Sequence, residues 1–179
     1  RPAATTLSSL VIPQQLLSVM SESSLLPDIM AQLKQNTCVF WVSNGEWSMH
    51  QMLMAILDKT GSAKLWLSTY AMSEKPARII AQLKDEKVIT ELNVVLDNRV
   101  DVRTAGSLQI IKTIADKYGL VDTHAKVSVV RNDDFDIAVV GSANYTENSR
   151  WEAGVIIWDK TICDQHIVWI EKALANGIQ

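Results

Sequence analysis

From Cys38 to the end of the chain, short apolar runs alternate with amphipathic ones. Runs at Cys38 to Ser43, Lys64 to Tyr70, Leu92 to Asp97, Ala125 to Arg131, Asp136 to Gly141 and Ala153 to Trp158 predict six strands. Between them the apolar spacing turns helical. Ser43-Asn44-Gly45-Glu46 has the spacing of a capping box, and Trp47, Leu53, Ile56 and Leu57 then share one face up to Lys59. Ser73 precedes a helix carrying Ala77, Ile80, Ala81 and Leu83. A third helix is predicted over Thr104 to Tyr118, closed by Gly119, and a last one over Thr161 to Ala175 with Ile162, Trp169, Ile170 and Ala173 inward. Strands alternating with helices predict an α/β fold layered around a sheet.

Residues 1–36 lack this rhythm. Leu7, Leu10, Val11, Leu16, Leu17 and Met20 are helically spaced but interrupted by Pro13, and Pro27 opens a short helical stretch. The chain therefore divides into a helical N-terminal extension, 1–36, and a main domain, 37–179. It begins at Arg1 rather than Met, as a fragment or a processed form would.

Composition narrows the function. At 179 residues with 47% hydrophobic and 21% charged residues, the chain is of ordinary single-domain size and needs no disulfide scaffold or metal to fold. Its 17 Lys and Arg against 20 Asp and Glu give a net charge of -3, which argues against holding nucleic acid by bulk attraction alone. A local basic groove is still compatible with it. Cys38 and Cys163 lie among apolar residues and read as buried thiols, which points to a reducing, cytoplasmic setting. The sequence offers no apolar run of about 18 residues that would span a bilayer. His50 and His166 are at helical spacing from apolar neighbours and read as packed side chains. Trp41, Trp66, Trp158 and Trp169 read as core, whereas Trp151, beside Arg150 and Glu152, is the tryptophan expected near a substrate. Asn144-Tyr145-Thr146 matches a glycosylation sequon, but the site reading below places Asn144 in a pocket.

Glycine-rich phosphate loops, nucleophile elbows and clustered metal ligands are missing from the sequence. One stretch stands apart: Thr123-His124-Ala125-Lys126, then Gly141-Ser142-Ala143-Asn144, with Asn148-Ser149 and Glu152 behind. Side chains two apart on a strand share a face, so His124 and Lys126 point the same way, and a returning strand brings Ser142 and Asn144 beside them. An imidazole, an ammonium, a hydroxyl and a carboxamide then converge. That set suits a phosphodiester, because imidazole can attack phosphorus while Lys126, Ser142 and Asn144 donate to the growing negative charge. Glu152 would hold the imidazole in its reactive tautomer.

His124-x-Lys126 followed after 14 residues by Gly141-Ser142-x-Asn144 resembles the HKD motif of the phospholipase D superfamily. The likeness covers about residues 38 to 158, and Lys64 to Tyr70 and Asn93 to Arg99 look like the first two central strands of that fold. It implies a mixed central β-sheet flanked by helices on both faces. The superfamily places an Asp five residues after the motif Lys. This chain has Arg131 there, which is expected to alter the hairpin rather than the chemistry.

The resemblance further implies catalysis by two histidines without metal or other cofactor, whereas this chain carries one motif. The short single-motif bacterial nucleases of the superfamily pair two chains across a two-fold axis, and this chain looks like one of them. The expected function is a metal-independent phosphodiesterase, a nuclease acting through a phosphohistidine in a homodimer. The catalytic set is His124, Lys126, Ser142, Asn144 and Glu152, with Lys126, Ser142, Asn144 and Trp151 on the nucleic-acid substrate. Phospholipid head-group hydrolysis or transfer, and a non-catalytic nucleic-acid-binding module of a larger assembly, are the alternatives.

Overall fold

The computed structural model describes residues 25–99, 105–147 and 149–178. Seven strands form one sheet: β1 (Thr37–Asn44), β2 (Ala63–Thr69), β3 (Ile89–Asp97), β4 (Lys117–Val121), β5 (Val127–Arg131), β6 (Asp136–Gly141) and β7 (Trp151–Trp158). Their order is β1-β7-β6-β5-β2-β3-β4. β2, β3 and β4 run parallel, and every other neighbouring pair is antiparallel. The helices are α1 (Leu26–Gln32), α2 (Met49–Thr60), α3 (Glu74–Asp85), α4 (Ala105–Ile114) and α5 (Lys160–Asn176).

The mixed sheet is covered on both faces, as expected. Leu65, Leu67, Leu92, Val94, Leu96, Ile137 and Val139 point into a core closed by α1 to α4. Trp66, Val95, Val127, Val129 and Ala138 point the other way, onto Cys163, Ile170 and Leu174 of α5. Strands buried on both faces must be apolar at nearly every position, which is why β2 and β3 read as continuous runs. Among the described residues of the predicted extension, α1 buries Ile29, and Leu33 follows it into the first core. Leu7 to Met20 lie outside the described residues.

Three sequence expectations change. The third helix ends at Ile114, and Lys117–Val121 forms the edge strand β4 on β3. Asp116 makes the break: its backbone N–H donates to the Leu92 carbonyl at 2.8 Å, and its carboxylate accepts from the Leu92 N–H at 2.7 Å. Gly119 is therefore no helix cap. It lies inside β4, where a Cβ would stand 3.4 Å from Cα of Leu174. Ile178 exchanges two backbone hydrogen bonds with Leu120 and so covers part of the exposed edge.

The capping box of α2 falls five residues later than predicted. Ser48 is the N-cap, and its N–H donates to Oε1 of Gln51 at 2.9 Å. Ser43 and Glu46 do bond to each other, at 3.1 Å, but in the turn before the helix. The β5–β6 hairpin, expected to be altered by Arg131, has an unbroken ladder from Val127 opposite Val140 to Arg131 opposite Asp136. Asn132 Oδ1 closes its turn by accepting from the N–H groups of Asp134 and Phe135. Arg131 instead ties the sheet to α5, bonding Asp136 and, at 2.7 Å, Asp164.

Candidate active site

Antiparallel pairing of β5 on β2, β6 on β5 and β7 on β6 gathers one end of the sheet. The carboxyl ends of β2 and β3 meet the start of β5, the end of β6 and the start of β7. His124 and Lys126 stand just before β5, Ser142 and Asn144 just after β6, and Glu152 at the second position of β7. In open α/β sheets this carboxyl end is where ligands bind.

Packing beneath the site dictates its backbone. Gly141 and Gly154 face each other across β6 and β7, and the indole of buried Trp41 lies over both. A Cβ on Gly154 would come within 2.3 Å of the Val140 carbonyl and 2.4 Å of the Trp41 ring. The Gly141-Ser142 turn is thus seated on a tryptophan. Tyr145 is buried, bonds Ser128 Oγ through its hydroxyl at 2.8 Å, and accepts the Ser73 N–H at 2.9 Å on its carbonyl. It fastens the segment after β6 to the loop after β2.

His124 contacts Lys126, Ser142 bonds Glu152, and Asn144 is held by the loop after β2. Lys126 Nζ lies 3.3 Å from Nδ1 of His124 and donates to the His124 carbonyl at 2.9 Å. Burial pushes the Lys126 ammonium below the usual lysine range, while the charge of Glu152 pulls it back up. Glu152 in turn accepts from Ser142 Oγ, which itself accepts the Ala153 N–H at 3.1 Å. Asn144 Oδ1 accepts from Thr69 Oγ1 and from the Ala71 N–H, both at 3.2 Å. Its Nδ2 is the end that can donate to an anion. His124 itself is exposed.

Trp151 is the exception. It is 71% exposed, and strand alternation puts its side chain on the sheet face opposite Glu152. Asn148 lies outside the described residues. His50 is 4% exposed and bonded to Ser48, and His166 accepts from Trp169, so neither joins the site.

Two residues at the site were not predicted. The Tyr70 ring stands 4.9 Å from the His124 ring, with Lys126 Nζ 5.6 Å and Arg99 Cζ 5.1 Å from its centroid. Arg99 is held by Asp97, which is wholly buried and accepts from Nε at 2.6 Å and Nη2 at 2.9 Å. The guanidinium holds the Asp97 carboxyl at about 2, below the usual carboxylate range.

No family model matches the chain, and no curated protein does. Solved structures do. The fold is similar to that of Nuc from Salmonella typhimurium, a phospholipase D family member, with a TM-score of 0.61 at 16% identity, covering 79% of this chain and 97% of that one. NucT from Helicobacter pylori has a TM-score of 0.61 at 14% identity, covering 79% and 98%. A polyphosphate kinase from Porphyromonas gingivalis has a TM-score of 0.55 at 12% identity, covering 95% of this chain and 30% of the kinase. The chain thus has the phospholipase D-like fold, matching nearly the whole length of the short bacterial proteins. Because that fold also occurs in a kinase, the activity must be argued from the site. Among the described residues no helix is long and apolar enough to cross a membrane.

Proposed function

We propose that this chain is a phosphodiesterase of the nuclease type, working as a homodimer in which each chain supplies one His124. The observation that carries the reading is the gathering of His124, Lys126, Ser142, Asn144 and Glu152 at the carboxyl end of the sheet, with Lys126 Nζ 3.3 Å from His124 Nδ1 and Ser142 bonded to Glu152. An imidazole nitrogen of one His124 attacks phosphorus, forming a P–N bond as the P–O bond to the leaving group breaks. The partner's His124 gives the leaving oxygen its proton. It then takes a proton from water, which adds to phosphorus and releases the first imidazole, so the net change is hydrolysis of one P–O bond. Lys126 and the Nδ2 end of Asn144 stabilise the charge on the phosphoryl oxygens, joined by Ser142 when its one hydroxyl proton turns from Glu152 to the substrate. Glu152 keeps Lys126 protonated, holds Ser142 and sets the imidazole. The arrangement draws its positive charge from side chains, so the reaction runs without a divalent ion.

Cleavage of oligonucleotides in excess chelator tests this, with His124→Ala as the paired variant. Turnover by the parent chain and a loss of at least about a thousandfold in the variant are expected, since binding energy does not replace a nucleophile. A variant keeping more than about a tenth of the activity, or activity that vanishes with chelator and returns with magnesium, contradicts the reading. Binding of nucleic acid with no cleavage would favour a binding module instead.

A further inference from the structure

The loop after β3 carries a cation beside the site that the two-part motif does not name. Arg99 is 54% exposed, yet its partner Asp97 is fully buried. A buried carboxylate is costly unless fully bonded, and Asp97 is: it accepts Nε and Nη2 of Arg99, the Arg99 N–H, and the N–H of Thr123 at 3.2 Å. Thr123 precedes His124. One buried anion therefore fixes both the plane of an exposed guanidinium and the approach to the candidate nucleophile.

Arg99 and Lys126 both lie against Tyr70, and their two distances put the cations no more than about 11 Å apart. Successive phosphates of one strand lie well within that span, so both cations can engage the same strand. A planar guanidinium is suited to bonding phosphate oxygens in pairs. A chain with a net charge of -3 also needs a local, directed contact to hold a polyanion. Asp122 competes for Nη2 at 3.5 Å, but it is 89% exposed and its pull is screened.

We propose that Arg99 is a substrate-binding residue that holds a phosphate neighbouring the one His124 attacks, so that the site takes a polynucleotide strand in preference to an isolated diester. This rests on the nuclease reading above and adds the residue that holds the strand beyond the scissile phosphate.

The test is the ratio of kcat/KM for decathymidylate to that for the one-phosphate dinucleotide TpT, in the full chain, Arg99→Gln and Asp122→Asn. Arg99→Gln should lower the ratio about tenfold, the loss of one charge-assisted hydrogen bond. It should also flatten the fall of decathymidylate kcat/KM with log salt by about 0.7. Asp122→Asn, an exposed change with little risk to folding, should raise the ratio about twofold at low salt by removing the competitor. It decides the matter if Arg99→Gln leaves Asp97 too poorly paired to fold. Equal losses on both substrates would make Arg99 a support of the His124 segment, and an unchanged ratio in both variants would leave it no role; either overturns the proposal. A parent chain that cleaves neither substrate overturns the phosphodiesterase reading, and this proposal falls with it.

Discussion

Lys126 is drawn in two directions, burial favouring its neutral form and the Glu152 carboxylate its charged one. If Glu152 tunes its neighbours without touching substrate, Glu152→Gln should lower kcat about tenfold or more and leave KM within about twofold. Removing the carboxylate also lowers the Lys126 pKa further, and the reaction needs Lys126 charged. The alkaline limb of the rate profile should then move to lower pH. A rise in KM alone, with the limb unmoved, would make Glu152 a binding residue. The spacing of His124 and Lys126 before β5, Ser142 and Asn144 after β6 and Glu152 on β7 was enough to place all five at one end of three adjoining strands. Tyr70 and Arg99 were not legible in the sequence, since they reach His124 only once β2 has found both β3 and β5, which no local spacing records.

Among the elements, β6 and β7 carry the site on a contact only glycine permits. Gly154→Ala would drive a methyl group into the Val140 carbonyl and the Trp41 ring. Backbone on one side and a buried indole on the other give it nowhere to go, so we expect about 2 kcal/mol of destabilisation. In a chain of this length that is a melting temperature lower by roughly 4–8 °C. Gly119→Ala, whose nearest contact is 3.4 Å, should shift it by less than about 2 °C. Equal shifts in the two variants, read by calorimetry, would mean that Trp41 does not set the turn. Gly119 also shows where sequence reading failed among the elements. A glycine after a helically spaced run signals a C-cap, but the competing signal was tertiary: Asp116 bonds Leu92, and Gly119 admits α5 against the sheet edge. Strands buried on both faces were the readily legible elements, since the core demands apolar residues throughout.

Over the whole molecule, the pairing of buried Asp97 with the exposed Arg99 makes stability depend on pH. The folded-state value of Asp97, about 2, lies below its ordinary 3.8, so the folded form binds that proton less readily than the unfolded chain. Its contribution, about 2 kcal/mol, is complete above about pH 4 and is lost as pH falls toward 2. Asp97→Asn should therefore be less stable in urea at pH 6, with the gap narrowing toward pH 2. A gap independent of pH would contradict the pairing. Burial also holds His50 and His166 below the usual histidine range, so charging them below about pH 6.5 costs further stability in the folded chain.

The proposed dimer shares one phosphodiester site between its two copies of His124. This sharing is tested most directly by isolating mixed dimers of parent and His124→Ala chains through two affinity tags and measuring oligonucleotide cleavage in chelator. Shared catalysis leaves the mixed dimer with less than about a tenth of the parent rate, because one histidine lacks its acid and the other its nucleophile. A mixed dimer that keeps about half the parent rate, or a parent dimer that does not cleave, would contradict it.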